Sequence, residues 1–527
     1  MQRLIAAIAV VSLAGGCATV VPVEPADLVL TGGRVFTGDA RAPWAEAVAV
    51  RGESIVAVGE GRAVRRHVGP QTRVVRLRGR VVVPGINDAH VHVPWGIGPE
   101  SIELPADGGT AALLEAIRAL VLERPLGSWI RAELPPALPF EGLDRIGLDA
   151  VAPSHPVRLD TLGGHAAVLN SAALAEWGIA RKMPDPPGGW YGRDRAGRLD
   201  GWIYEHALWI ARAAEAGRAS DAEIRAQLEG FAAAAARFGI TSIQTMPLLS
   251  PSRTEHLLIG IDPPLRWRVI ELRMGTLPDG SSSHRPLKYI LDGTPIERNA
   301  ALRAPYADRE GWRGRLNYAP GTIAEMMRRA ASGPRPLLVH AAGDAAVRVV
   351  LDAMKGTSTD GWPRRRVRIE HADGLTGEML ADAAALGVVV VQNPSHFALA
   401  ELVQARLGPE RAAEFMKART LIERGIPFAL GSDGPLDPWL NVMLAAMHPS
   451  NPAEALTVEQ AVRAYTAGSA FAEMEESRKG TIAPGMLADL AVLSQNVFEV
   501  PLSELPNTES ELTIVGGRIV WEREDEP

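Results

Sequence analysis

Between residues 27 and 83 short apolar runs alternate with glycine and charge, as in DLVLTGGRVFTG, AEAVAVRGESIVAVG and TRVVRLRGRVVVPG. A period of two puts the apolar side chains on one face of an extended strand, and the bounding glycines close hairpins. The segment 480–523 returns to that texture in ADLAVLSQNV and ELTIVGGRIVWE. Together the two stretches predict one small β-sandwich domain, 27–83 plus 480–523, assembled from both ends of the chain.

The region between them, 84–479, reads differently. Short β-branched runs fall at 81–86, 240–245, 267–272, 287–291, 336–339, 367–369, 388–392 and 427–430. Several gaps are alanine-rich and helical in period, at 222–238, 323–331, 344–354, 376–386 and 412–424. Strands alternating with helices imply parallel βα units, and eight such units close a barrel. The stretch from Pro94 to about Ser220 is too long for one βα loop. It predicts an insertion at about 95–220 over the barrel mouth, with its own strands at 128–133 and 156–161. The expected fold is therefore α/β: a (β/α)8 TIM barrel, a small β-sandwich formed by both chain ends, and an inserted segment.

The N-terminus carries an address. MQRLIAAIAVVSLAGGCATVV has one early cation, Arg3, then an apolar run from Leu4 to Ala14 that ends in small residues. This is the shape of a secretory signal, and Gly15 and Gly16 cut it short of a membrane span. Cys17, the single cysteine, stands where a bacterial lipoprotein is processed and lipidated. Residues 1–17 are therefore expected to be a lipoprotein-type signal, placing the protein in the bacterial cell envelope. It would be anchored by lipid, with the outer membrane facing the periplasm as the favoured site, or else secreted to the periplasm. Membrane attachment would run only through that anchor. The oligomeric state stays open.

With 46% hydrophobic and 22% charged residues, the 527-residue chain can bury a large core, and disorder is excluded as its main state. A net charge of −7 offers no basic footprint for nucleic acid. One cysteine allows neither an intramolecular disulfide nor a cysteine-based zinc site. Any metal must be held by His, Asp, Glu or Lys.

Such residues sit mostly at the C-terminal ends of the predicted strands, where barrel enzymes collect their chemistry, with Lys288 at the start of the fourth. The first strand runs into PGINDAHVHV, with His90 and His92 two apart and so on one side of an extended chain. LKYILDG carries Lys288, LLVHAAGD carries His340, RIEHAD carries His371 and FALGSDGP carries Asp433. Taken alone, Asp433 could cap a turn and Lys288 could serve an ion pair. His396, His284 and His448 read as loop or core histidines. HxH, Lys, His, His and Asp in that order, over separate apolar strands, point to a metal centre.

This constellation resembles the amidohydrolase superfamily, and within it the amidohydrolase-3 family of YtcJ-like and N-substituted formamide deformylase-like enzymes. Further motifs carry the resemblance: GHAAVLNSAAL at 164–174, GWIYEHAL at 201–208, GITSIQTM at 239–246, LDGTPIERNAAL at 291–302 and GTIAPGMLADLAVL at 480–493. The resemblance implies a hydrolase acting on a carbon–nitrogen, amide-type bond of a small molecule, other than a peptide bond, through metal-activated hydroxide. It implies two divalent ions, usually Zn2+. His90, His92 and Asp433 would hold the more buried ion, His340 and His371 the more exposed one. A carbamylated Lys288 would bridge them. A single metal with an unmodified Lys288 is the alternative. Asp433 would also move the proton, and His165 could hydrogen-bond the carbonyl oxygen or the substrate. Asp344 and Glu370 read as supporting groups. Two other readings are a mononuclear deaminase on the same fold, which lacks its usual acid after His340, and a non-catalytic lipoprotein binding scaffold. The insertion and the loops around Trp95, Trp190, Trp202 and Trp439 are expected to shape the pocket.

Overall fold

The computed structural model describes residues 24–94, 102–106, 108–136, 142–275, 277, 284–357 and 360–524. The expected signal segment with Cys17, and Trp95, lie outside the described residues.

Parallel strands dominate the middle of the chain. Ile86–Val91, Ile240–Thr245 and Arg266–Val269 form one sheet. Glu271–Arg273, Leu287–Ile290, Leu337–Ala341, Arg368–His371, Val389–Gln392 and Phe428–Leu430 form another. Ile270 alone separates Arg266–Val269 from Glu271–Arg273, so these are two halves of one strand and the strand count is eight. The last strand comes back beside the first. The Asp433 N–H donates to the His90 carbonyl at 2.8 Å. At Gly431 a Cβ would lie 2.5 Å from the His90 backbone nitrogen, so only glycine permits this approach. The result is a TIM barrel.

Helices cover the strands because their apolar positions repeat with the helical period. Asp344–Gly356 buries Ala346, Val347, Val350, Leu351 and Met354 on one face. Asp221–Arg237 buries Ile224, Leu228, Ala232, Ala235 and Ala236. Its start is fixed by a capping box in which Ser220 and Glu223 satisfy each other's backbone N–H, worth about 1 kcal/mol. These faces join Ile243, Val339, Ile369 and Leu430 in one continuous core.

The two chain ends build a single eight-stranded sheet. Its order is Arg518–Glu522, Ser510–Val515, Leu490–Leu493, Val81–Pro84, Leu28–Phe36, Trp44–Arg51 and Ser54–Gly59, with Arg73–Arg76 also on Leu28–Phe36. It folds back on itself: the Ala488 N–H donates to the Glu53 carbonyl at 2.8 Å, and Ser54 bridges Leu487. Leu30, Val48, Val82, Leu490 and Ile514 fill the space between. Arg266 joins this domain to the barrel through Asp489, at 2.7 and 3.0 Å.

The structure corrects two of the expected elements. The run 81–86 is not one barrel strand. Val81–Pro84 pairs with Leu490–Leu493 in the small domain, and the barrel strand begins at Ile86. Pro84 has no N–H to extend the first ladder. The helix expected at 412–424 is two short helices, Pro409–Ala412 and Ala418–Glu423. Met416, at φ +57°, breaks it and donates its N–H to the Asp373 carbonyl at 2.8 Å.

The insertion forms a five-stranded sheet in the order Gly189–Arg193, Leu199–Glu205, Ala166–Leu169, Val157–Asp160 and Ile130–Glu133. The sequence pattern foretold the last two. In the other three, glycines and short length hide the alternation.

Candidate metal centre and active site

Each strand delivers its polar residue to the same mouth. His90 ends inside Ile86–Val91 and is fully buried, and His92 follows one residue beyond the strand. Their Nε2 atoms lie 3.3 Å apart, as the HxH spacing predicts. Lys288 Nζ is 2.8 Å from His90 Nε2. Asp433 Oδ1 is 3.5 Å from His90 Nε2 and 3.4 Å from His92 Nε2, and its Oδ2 is 3.8 Å from His371 Nε2. The His340 ring lies 4.4 Å from the His371 ring. All six expected ligands therefore converge. One set able to hold a metal ion is His90, His371 and Asp433, whose ligand atoms lie within 4.8 Å of one another. It draws from both of the groups expected to hold separate ions.

Two of these residues adopt backbone conformations that side chains disfavour. His371 has φ +67° and Asp433 has φ +40°. Such strain persists only where the surroundings enforce it, and it gathers at functional sites.

Burial sets the charge of the site. It drives His90, His92, His340 and His371 well below the ordinary histidine value, with Lys288 adding to the effect on His90 and His92. All four are neutral, the form that ligates metal. Burial lowers Lys288 to about 8, although Glu370 and Asp433 pull upward. Burial raises Asp433, against the pull of Lys288. His371 Nδ1 is buried without a hydrogen-bond partner. Neutral imidazoles packed nitrogen to nitrogen around a carboxylate have few protons to share. A divalent cation satisfies that donor set.

Supporting groups orient the ligands. Glu370 Oε2 lies 2.6 Å from His90 Nδ1. Arg368 grips Glu370 at 2.9 and 3.0 Å and also reaches the Ala89 carbonyl at 2.9 Å. His92 Nδ1 faces the Met246 carbonyl at 2.8 Å. Asp292 accepts from the N–H groups of Ala301, Ala342 and Gly343 at 2.9, 3.0 and 2.9 Å, tying down the loop after His340. Asp344, by contrast, accepts the Arg303 N–H at 2.9 Å on the protein's outer side.

His165 arrives from the insertion, just before Ala166–Leu169. Its ring packs, tilted, 4.8 Å from the His340 ring and 5.2 Å from that of Trp209. Burial works against its protonation. Glu205, 2.9 Å from Nδ1, overcomes this and pushes it up to about 9. Glu205 is itself strained, at φ +53°, and accepts from Asn317 Nδ2 at 3.1 Å.

These residues share a cavity of about 620 Å³ lined by His92, His165, His340, His371 and Asp433 and by apolar groups such as Leu162, Leu399 and Leu440. His396 also lines it, which corrects its reading as a bland histidine. It stacks on His371 at 5.0 Å and faces Asp373 Oδ2 at 3.3 Å. The insertion lines the cavity through residues 160–165, and Leu440 and Asn441 beside Trp439 line it too, while Trp190, Trp202 and Trp439 themselves are not among the described lining residues. Trp190 and Trp202 stack on either side of Tyr204, and Trp439 is wholly buried. Sequence reasoning missed Glu205, Asp292 and the His396–Asp373 pair. The motifs GWIYEHAL and LDGTPIERNAAL contain the first two without marking them.

Comparison with known proteins follows the same lines. The sequence profile of the amidohydrolase family matches residues 73–521. YtcJ of Bacillus subtilis (strain 168) is 29% identical over 93% of this chain and 99% of its own. The N-substituted formamide deformylase of Arthrobacter pascens is 26% identical over 94% of this chain and 98% of its own. Among solved structures, a metal-dependent hydrolase from Pyrococcus horikoshii superposes with a TM-score of 0.67 at 20% identity, over 90% of this chain and 99% of that one.

Proposed function

The chain belongs to the amidohydrolase family of metal-dependent hydrolases, and from that premise we propose that it cleaves a carbon–nitrogen bond of a small amide-type substrate with two bound Zn2+ ions. The observation that supports this most is the meeting of His90, His92, His340, His371, Asp433 and Lys288 at one barrel mouth. His90, His92 and Asp433 would hold one ion and His340 and His371 the other. When bound, such ions supply Lewis acidity, which lowers the pKa of water and polarises a carbonyl.

Lys288, neutral in part because burial lowers it to about 8, would bond to the carbon of CO2 and release a proton. The resulting carbamate is a bidentate anion between the two ligand groups. Asp433 would take the proton of the attacking water and hand it to the leaving nitrogen. His165, held by Glu205, would donate a hydrogen bond to the carbonyl oxygen. Glu370, fixed by Arg368, holds the His90 ring in place.

The test is a substrate panel on zinc-loaded protein: N-substituted formamides, N-acyl amines, N-acyl amino acids and lactones. Turnover of amides with release of amine is expected. Turnover of lactones alone would overturn carbon–nitrogen cleavage. The address is a separate proposal, that lipid on Cys17 anchors the protein in the envelope. Cys17→Ser should move it from the membrane fraction to the periplasm, and a wild type that is wholly soluble without detergent would refute it.

A further inference from the structure

The insertion contributes more to the cavity than His165. Its parallel strands Ile130–Glu133 and Val157–Asp160 run in register, so that Glu133 and Asp160 stand side by side at their C-terminal ends. Both line the cavity that holds the histidine cluster. Asp160 is 3% exposed. Its Oδ2 is taken by Arg158 Nε at 3.1 Å and Arg212 Nη2 at 3.5 Å, but its Oδ1 is buried with no proton donor. Glu133 is exposed to the cavity and has no hydrogen bond or ion pair among the described residues.

The cations nearby are engaged by Asp160 and Glu215. Arg158 reaches back to Glu215 at 2.8 Å, and Arg131 turns to Glu215 at 3.3 Å. Neither lines the cavity, whereas both carboxylates do. Arg212 is the one guanidinium among the described lining residues, and it leans on Asp160. Asp160 is answered by Arg158 and Arg212, whereas the Glu133 carboxylate beside it has no ion-pair partner among the described residues. Burial, followed by the charge of Asp160, raises the Glu133 carboxyl. The same cavity lining includes apolar side chains, among them Leu162, Ile296 and Leu399, beside the polar Thr161 and Thr294.

We propose that Glu133, backed by Asp160, is a specificity subsite for a cationic group, a protonated amine, on the substrate. The substrate class is then an amide whose scissile end meets the histidine cluster and whose far end, across an apolar spacer, carries an ammonium. This rests on the hydrolase reading of the same cavity.

Three formamides of similar length separate the possibilities: N-formylputrescine, which is cationic, N-pentylformamide, which is neutral, and N-formyl-γ-aminobutyrate, which is anionic. Binding to zinc-loaded wild type and Glu133→Gln is measured by calorimetry, and turnover is measured in parallel. Wild type should bind the cationic probe about tenfold more tightly than the neutral one. Glu133→Gln should erase that preference and leave the neutral probe unchanged. Equal affinities, no binding of the cationic probe, preference for the anionic probe through Arg212, or a cationic preference that survives Glu133→Gln would each overturn the subsite. Cationic preference without hydrolysis would uphold the subsite and count against carbon–nitrogen cleavage instead. Glu133 is solvent-accessible and makes no contacts that hold the fold, so this variant should fold normally. Asp160→Asn, which disturbs the Arg158 and Arg212 pairs, serves as a second variant with a smaller expected loss of cationic preference.

Discussion

Two sets of buried imidazoles face one another across the barrel mouth, and burial alone does not distinguish them. His90, His92, His340 and His371 come from barrel strands and are held well below the ordinary histidine value. His165 comes from the insertion and His396 from the segment after Val389–Gln392, and both are raised. The carboxylates make the difference. Glu370 touches His90, but its charge is spent on Arg368. Glu205 touches His165 and answers to Asn317, a neutral amide. A carboxylate already bound by a cation orients an imidazole and leaves it neutral, fit for metal. Glu205, without such a cation, raises the His165 imidazole against its burial, which suits it to donate to an oxygen. Under the proposed function, one mouth would carry ligands and a proton donor built from the same residue type.

The sharpest test of this division is at Asp433, the residue between the two sets. Asp433→Asn keeps the shape and removes the proton acceptor, so kcat should fall roughly 10²–10⁴-fold with substrate binding retained. Steady-state kinetics beside bound-metal analysis checks it, and loss of folding in place of turnover would reassign Asp433 to a structural role. Lys288→Ala comes next. It should cost the second ion and roughly 10²-fold or more in turnover. Acetate or propionate, as detached carboxylates, should restore part of the rate. Wild-type metal content and rate in Lys288→Ala would remove the carbamate.

The two carboxylates can then be set against each other. Glu370→Gln should weaken metal affinity about 10–100-fold, measured by competition with a chelator. Glu205→Gln should leave metal content unchanged and lower kcat about tenfold or more, because His165 loses the charge that keeps it protonated. If both variants lose metal alike, the division collapses. Asp373→Asn, behind His396, should have the smallest effect: a change of about a fewfold in KM, read from the same kinetics, with metal retained.

Much of the barrel was legible because its strands are apolar runs ended by chemistry. HVH, LLVH, RIEH and LGSD each put a ligand type at or just past a strand end, LKYI places Lys288 within its strand, and a period of two suffices to face His90 and His92 the same way. The division of 81–86 was not legible, since VVVPGI is apolar throughout and only the pairing partners decide where one sheet stops. Glu205 and Asp373 were hidden for a different reason. Their importance lies in what they touch, His165 at forty residues' distance in sequence and His396 at about twenty, and no local pattern encodes such a contact. The same holds for Glu133 and Asp160, which look like ordinary strand ends until the insertion is laid over the mouth.

The most direct test of the neutral, metal-holding set is a metal count on full-length protein purified in zinc-supplemented buffer, compared with His371→Ala. About two zinc ions per chain are expected in the wild type, with less in the variant and activity lost on chelation. A folded wild-type protein that carries no zinc under these conditions would contradict the metal centre at His90, His371 and Asp433.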